Sequence, residues 1–179
     1  MAADLETLTS ELREHAVVRG EVTLSSGQKA DYYVDAKRAL LRPEAYRAVG
    51  VLLAAAAIDH DAAAIGGMTI GADPLACAAL GAPGGEALVA FFVRKERKEH
   101  GLQRWIEGPV LEKGTRCLVV EDVVTTGGST VRAIERVKEE GLEVAGTVCV
   151  VDRLAGGGEA IEAAGGAPFR ALTTVEDLL

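Results

Sequence analysis

One short segment of the chain combines two carboxylates with a run of small polar residues. Residues 119–130 read Val-Val-Glu-Asp-Val-Val-Thr-Thr-Gly-Gly-Ser-Thr, so an apolar run delivers Glu121 and Asp122 and a Thr-Thr-Gly-Gly-Ser loop follows. Backbone N–H groups in such a loop, and at the N-terminus of the helix predicted after it, can bind a phosphate. Glycine lets the backbone approach the anion, and the hydroxyls add further donors. The segment therefore predicts a phosphate cradle.

The two acids of this segment need a different partner, because like charges repel and a carboxylate cannot bind a phosphate. Carboxylates can accept hydrogen bonds from ribose hydroxyls or orient a hydrated cation. Phosphate and sugar partners side by side suit a ribose 5-phosphate. The segment is not a Walker A loop, since no lysine follows the glycines, and it lacks the Gly-x-Gly-x-x-Gly dinucleotide pattern. The simpler alternative is a strand–turn–helix junction with capping residues and two solvated acids.

A second segment, residues 94–101, concentrates positive charge. It reads Arg-Lys-Glu-Arg-Lys-Glu-His-Gly and follows an apolar run. Arg94, Lys95 and Lys98 could neutralise the charge that develops on a polyanionic leaving group. His100 could donate a hydrogen bond or a proton to the same group. The alternative is a solvated charge run that pairs with its own glutamates.

Both segments belong to a regular alternation of predicted strands and helices. Strands are predicted over 62–65, 88–93, 117–120 and 143–151, and helices over 5–18, 43–58, 73–81 and 129–140. This alternation predicts an α/β fold with a central, mainly parallel sheet covered on both faces. A hairpin of 21–24 and 31–35 forms a small N-terminal cap, and residues 94–108 are predicted as a long loop. Ligands of such sheets bind at the carboxyl ends of the strands, where both segments and the pair Asp152-Arg153 should lie.

Length and composition limit the remaining possibilities. The chain has 179 residues, which predicts one domain over 1–179 with about 1–40 contributing the N-terminal cap. The net charge of −8 argues against a nucleic-acid partner, and the longest apolar stretch, residues 49–58, is too short for a membrane span. The three cysteines are odd in number, far apart and set in apolar runs. They predict buried core residues in a reducing cytoplasm rather than a metal site or a disulfide framework.

The two segments together resemble a known family. Residues 119–130 are similar to the phosphoribosyl pyrophosphate (PRPP) motif of type I phosphoribosyltransferases. Residues 94–101 resemble the Arg-Lys-x-x-Lys-x-His-Gly loop of orotate phosphoribosyltransferases. Residues 23–27, Tyr32-Tyr33 and the glycine-rich residues 66–74 look like the hood and the pyrophosphate loop of the same family. The likeness runs from about Val22 to Arg153.

This resemblance implies a type I phosphoribosyltransferase fold and a set of residue roles. It implies catalytic roles for Lys95, Lys98, His100 and Asp122. It implies PRPP binding by Arg94, Lys95, Lys98, His100, Glu121, Asp122, Val123, Val124, Thr125, Thr126, Gly127, Gly128 and Ser129. It implies orotate binding by Thr125 and Arg153. Two positions depart from the pattern: Ser25 and the neighbourhood of Ile70 stand where many relatives have lysine.

The implied reaction joins orotate to PRPP, giving orotidine 5′-monophosphate and pyrophosphate in pyrimidine nucleotide synthesis. Mg²⁺ is the implied cofactor, bound mainly through the substrate rather than by protein ligands. A homodimer is implied, in which the 94–108 loop acts in trans. Two alternatives stay open: a phosphoribosyltransferase for another base, such as a purine, and a regulator of the same fold that binds nucleic acid.

Overall fold

A computed structural model describes residues 1–23, 29–96 and 105–179 of the chain. Its helices are α1 (Ala2–His15), α2 (Lys37–Leu40), α3 (Pro43–Asp59), α4 (Asp73–Leu80), α5 (Gly128–Glu139), α6 (Gly157–Gly165) and α7 (Val175–Leu178). Its strands are β1 (Val17–Thr23), β2 (Lys29–Val34), β3 (Ala64–Met68), β4 (Val89–Val93), β5 (Ile106–Glu107), β6 (Arg116–Val124), β7 (Glu143–Asp152) and β8 (Phe169–Thr174).

The central sheet has six strands in the order β5-β4-β3-β6-β7-β8. All neighbours pair in parallel except β5, which runs antiparallel to β4. Strands β1 and β2 form a separate antiparallel pair, the N-terminal hood. The predicted α/β fold with a mainly parallel sheet, flanking helices and a small hood is therefore confirmed.

Successive residues of the buried strands feed two different hydrophobic clusters, because side chains alternate between the faces of a sheet. In β6, Leu118 and Val120 pack with helices α1, α3 and α4. Cys117 and Val119 pack with α5 and α6 on the other face. This explains why the strands read as continuous apolar runs rather than as alternating patterns.

The helices over one face pack closely because their contact residues are small. A Cβ atom at Gly50 of α3 would lie 2.5 Å from the carbonyl oxygen of Ala78 in α4. Pro43 stands in the first turn of α3, where its fixed φ and missing N–H cost nothing. The alanine-rich sequence of α3 thus lets two helices approach each other over the sheet.

Several predicted boundaries were wrong, and most errors concern the ends of strands. Helix α1 ends at His15, and the next residues already pair with β2. Strand β3 continues through Gly66 and Gly67, which the sequence placed in a loop. Strand β6 continues through both acids to Val124, because β7 pairs with it as far as Asp152.

Other differences come from elements that the pattern did not reveal. The predicted loop 94–108 contains the short strand β5, and α2, α6, β8 and α7 had no counterpart in the prediction. Cys117 and Cys149 are buried as expected, but Cys77 is exposed, so its assignment to the core was wrong. Cys77 lies on α4, whose buried residues are Leu75, Ala76, Ala78 and Ala79.

Candidate active site

Glu121 and Asp122 lie near the carboxyl end of β6, inside the strand rather than after it. Both are buried, with exposed fractions of 5% and 8%. Because they are neighbours in a strand, their side chains leave on opposite faces of the sheet. Glu121 Oε2 accepts a hydrogen bond from the hydroxyl of Thr130 in α5, at 3.1 Å. Asp122 instead faces the start of α2 and the segment that follows β3.

Lys37, which the sequence analysis did not single out, contacts Asp122. Its Nζ atom lies 2.8 Å from Asp122 Oδ2 and 3.5 Å from Asp35 Oδ1. Burial opposes the charge of Lys37, but the two carboxylates outweigh it and raise the pKa of the lysine. The lysine therefore stays protonated beside Asp122. The only indication of this contact in the sequence is Asp35, which stands two residues before Lys37 and directly after the hood strand β2.

The protonation of Glu121 is set mainly by its burial. Loss of water raises the pKa of this carboxyl to about 7, and the negative charge of Asp122 acts in the same direction. The hydrogen bond from Thr130 acts against the shift. Glu121 is thus an acid that can be protonated near neutral pH, whereas Asp122 has a lysine as its neighbour.

The predicted phosphate cradle is an open cavity at the N-terminus of α5. Residues 123–130 line this cavity, whose volume is ≈ 160 Å³. Gly127 caps the helix in the left-handed region with φ 77°, and no side chain caps the first turn. The N–H groups of that turn therefore point toward the cavity without a side-chain partner, as an anion site needs.

Gly127 and Gly128 differ in what surrounds them. A Cβ atom at Gly127 would lie 2.8 Å from the carbonyl oxygen of Gly157 in α6, so a side chain there would disturb the contact between helices. The nearest atom to a Cβ at Gly128 is Nη1 of Arg132, at 3.8 Å. Gly128 is exposed and Gly127 is buried. A substitution at Gly128, rather than at Gly127, would enter the cradle without straining the fold.

The segment after β3 lies between the acids and the cationic segment. A Cβ at Gly71 would lie 2.6 Å from Asp122 Oδ1, so only glycine lets this backbone pass the carboxylate. Thr69, at the start of the same segment, lines a cavity of ≈ 460 Å³ together with Arg94 and Lys95. The hydroxyl of Thr69 donates a hydrogen bond to Asp73. Strands β4, β3 and β6 are adjacent, so their carboxyl ends bring these groups to one edge.

Arg94 and Lys95 differ in their contacts. Arg94 Nη1 lies 3.0 Å from Glu107 Oε1, and the backbone N–H of Arg94 donates to the carbonyl of Trp105. Lys95 is exposed. Lys98 and His100 lie outside the described residues, as does Ser25 of the hood turn.

Arg153 lies directly after β7, against the hood. Its guanidinium carbon is 5.8 Å from the centre of the Tyr32 ring in β2. Its backbone N–H donates to the carbonyl of Val124, at 2.9 Å, which joins it to the end of β6. Arg153 and Thr125 thus approach the same edge of the sheet from neighbouring strands.

Comparison with known proteins relates this site to one family. A family model of the phosphoribosyl transferase domain matches residues 75–163. The orotate phosphoribosyltransferase of Corynebacterium glutamicum is 53% identical over 167 residues, which cover 93% of this chain and 89% of that protein. The chain belongs to the orotate phosphoribosyltransferase family. The enzyme of the same name from Mycobacterium avium is 49% identical and covers 98% of this chain and 96% of its own length.

Solved structures of orotate phosphoribosyltransferases have the same fold. The Mycobacterium tuberculosis enzyme in complex with PRPP superposes with a TM-score of 0.84 at 43% identity, covering 98% of both chains. Within the part of the chain that the structure describes, no helix is long and apolar enough to cross a membrane.

The raised pKa of Glu121 predicts a pH-dependent loss of stability. In the unfolded chain Glu121 ionises near pH 4.5, whereas in the folded chain it holds its proton to about pH 7. Between these values unfolding releases a proton, so rising pH favours the unfolded state. The free energy of unfolding should fall, relative to that of Glu121→Gln, by roughly 1–3 kcal/mol from about pH 5 to pH 7.

Urea denaturation of both proteins at several pH values measures this difference. The other titrating groups are common to both proteins, so their contributions cancel in the comparison. Parallel stability curves for the parent and Glu121→Gln would show that Glu121 titrates as an ordinary carboxyl.

Proposed function

We propose a role for each residue of this site in the reaction that the family catalyses. As an orotate phosphoribosyltransferase, the chain transfers a phosphoribosyl group from PRPP to orotate, giving orotidine 5′-monophosphate and pyrophosphate in pyrimidine nucleotide synthesis. The bond between ribose C1′ and pyrophosphate breaks, and a ring nitrogen of orotate takes its place. The observation that carries the assignment is the pair of buried acids of β6 directly before the cradle of α5.

The cradle holds the 5′-phosphate of PRPP. The phosphate accepts hydrogen bonds from backbone N–H groups of the loop and of the first turn of α5, and the hydroxyls of the loop add donors. The residues concerned are Thr125, Thr126, Gly127, Gly128 and Ser129, while Val123 and Val124 line the cavity at the end of β6.

The two acids hold the ribose. Asp122 is ion-paired with Lys37 and accepts hydrogen bonds from ribose hydroxyls in its charged form. Glu121 lies on the face of the sheet that α5 covers, next to the cradle. It donates a hydrogen bond to a ribose hydroxyl when protonated and accepts one when ionised. In the transition state the ribose becomes oxocarbenium-like, and the negative charge of Asp122 stabilises it.

The leaving pyrophosphate faces the cationic segment. Within a single subunit Arg94 and Lys95 line the cavity beside Thr69, at the end of β4, and in the dimer proposed below the segment serves the site of the other subunit. Lys98 and His100 follow them in the chain. Their positive charges and hydrogen bonds neutralise the charge that develops on pyrophosphate as it leaves. Arg94 exchanges its contact with Glu107 for one with the substrate.

Orotate binds between the hood and the end of β7. The guanidinium of Arg153 suits the orotate carboxylate because its planar fork gives two parallel hydrogen bonds. Tyr32 of the hood lies over the same guanidinium. Thr125, exposed at the end of β6, offers a hydroxyl and a backbone N–H to the base.

We propose that Mg²⁺ is bound mainly through its substrate, with the acids of β6 as the residues of this site that could orient a hydrated ion. Within residues 1–23, 29–96 and 105–179, no cluster of three or more acidic, histidine or cysteine side chains could enclose a metal. The acids of β6 would hold the ion only through its water ligands, since Mg²⁺ keeps several waters. What bound Mg²⁺ supplies is neutralisation of charge on the pyrophosphate oxygens.

We further propose a homodimer of single-domain subunits in the cytoplasm. Residues 1–179 form the domain, with about 1–40 contributing the hood. The free cysteines suit a reducing compartment. The 94–108 loop acts in trans, so each active site draws Lys95 from the partner subunit.

The base specificity is tested by measuring substrate consumption. With PRPP and Mg²⁺ the enzyme should consume orotate, seen as a fall in orotate absorbance, and release stoichiometric pyrophosphate. Adenine, guanine and hypoxanthine in place of orotate should release none, because they lack the carboxylate that Arg153 binds. Consumption of a purine but not of orotate would assign the alternative specificity for another base.

Replacing Arg153 should separate orotate binding from PRPP binding. A charge-assisted hydrogen bond is worth about 1.5–3 kcal/mol, so Arg153→Ala should raise the KM for orotate roughly ten- to a hundredfold. The KM for PRPP should change little. Arg170→Ala is the matched control. Arg170 is exposed near the amino-terminal end of β8, whereas the site lies at the carboxyl ends of the strands. An unchanged KM and kcat for orotate in Arg153→Ala would remove Arg153 from the site.

Subunit mixing tests the action of the loop in trans. Lys95→Ala and Asp122→Asn homodimers should each be nearly inactive. A heterodimer of the two variants has one site with both residues intact and one with both replaced. Random exchange makes half of the dimers mixed, so activity should return toward about a quarter of the parent value. Heterodimers verified by mass spectrometry that recover no activity would place Lys95 and Asp122 of one site in the same subunit.

A further inference from the structure

Lys37 connects the hood to the end of the central strand. It is the first residue of α2, which follows the hood strand β2 by two residues. Its ammonium contacts Asp122 at 2.8 Å and Asp35 at 3.5 Å, so it bridges an acid beside the hood and an acid of β6. Across the described residues, no other lysine or arginine contacts Asp122 or Glu121.

The carboxylate of Asp122 has contacts on both oxygens. Its Oδ1 accepts a hydrogen bond from the N–H of Val123, at 2.8 Å. The backbone at Gly71 lies so close to Oδ1 that a Cβ there would be 2.6 Å away. On the other side, Oδ2 accepts its hydrogen bond from Lys37. The hydrogen bond from Lys37 to Oδ2 therefore fixes the orientation of the Asp122 carboxylate.

Asp35 is the second acid in contact with Lys37, at 3.5 Å. The side chain of Lys37 is 39% exposed, and an exposed lysine loses rotamer freedom when it is held in one position. Asp35 offsets part of this entropic cost, because the ammonium of Lys37 then has two negatively charged neighbours instead of one. The arrangement Asp35–Lys37–Asp122 is thus a chain of charges with the cation in the middle.

We propose that Lys37 is a positioning residue that holds Asp122 in the orientation required by the ribose hydroxyls of PRPP. This inference rests on the proposed role of Asp122 in binding ribose. Lys37 touches neither the 5′-phosphate nor the pyrophosphate in this scheme, and it acts only through Asp122. Replacing Lys37 should weaken the binding of every ligand that contains ribose and leave the binding of pyrophosphate unchanged.

Equilibrium binding in the presence of Mg²⁺ tests this difference. Calorimetry with PRPP, ribose 5-phosphate and pyrophosphate should show that Lys37→Met binds the first two about five- to tenfold more weakly and pyrophosphate as the parent does, a modest loss because the pair is partly exposed. Lys37→Arg should restore most of the affinity. Arg38→Met, the loss of the neighbouring exposed cation of the same helix, is the matched control and should bind all three as the parent does.

A double-mutant cycle separates positioning from a merely structural role. If Lys37 acts through Asp122, then Lys37→Met should weaken ribose 5-phosphate binding in the parent but have no further effect in Asp122→Asn. Equal losses in both backgrounds would overturn the proposal, and so would parent-like binding by Lys37→Met. Weaker binding of pyrophosphate would overturn it too, since it would make Lys37 a direct ligand of the diphosphate. Should Lys37→Met fail to fold, Lys37→Gln takes its place in the same cycle.

The same data distinguish failure of this inference from failure of the proposed site. If Asp122→Asn binds ribose 5-phosphate as tightly as the parent, the assignment of ribose to Asp122 is wrong and the role of Lys37 falls with it. If Asp122→Asn is impaired while Lys37→Met is not, the ribose site stands and only the positioning role is removed.

Discussion

The structure depends on the burial of one strand that carries two acidic residues near its carboxyl end. Strand β6 pairs with β3 over residues 117–119 on one side and with β7 as far as Val124 on the other, so β7 keeps the end of the strand hydrogen-bonded. Pairing this far carries Glu121 and Asp122 into the sheet, where each carboxylate must find a partner or give up its charge. The rest of the site follows from how each acid meets that requirement.

The two acids meet it in different ways because they face different layers. Glu121 enters the layer of α5, where a hydroxyl is the nearby donor, and burial raises its pKa to about 7. Asp122 enters the opposite layer beside α2, where Lys37 supplies a full positive charge. One strand thus presents a protonatable acid beside the cradle and an ion-paired acid beside α2. Adjacent carboxylates with separate environments can take separate roles.

The glycines near the acids serve backbone approach rather than flexibility. Gly71 lets the segment after β3 pass against Asp122, and Gly127 lets α6 pass against the start of α5. Both positions would place a Cβ within 3 Å of a neighbouring atom. The backbone at these two positions is therefore held by close packing, beside the cavity that residues 123–130 line. A site of this kind is organised before its ligand arrives, which reduces the entropy that binding must cost.

The sequence by itself determined the fold class, the order of the main elements and the chemistry of the site. Apolar runs of fixed length specify buried strands, and local motifs such as Glu121-Asp122 with the following Thr-Thr-Gly-Gly-Ser depend only on neighbours in the chain. Strand ends, the short strand β5 and the contact of Lys37 with Asp122 were decided by the tertiary structure. A strand ends where its partner stops pairing, and an ion pair 85 residues apart in sequence forms only when the start of α2 reaches the end of β6. These are long-range contacts, and neither periodicity nor composition contains them.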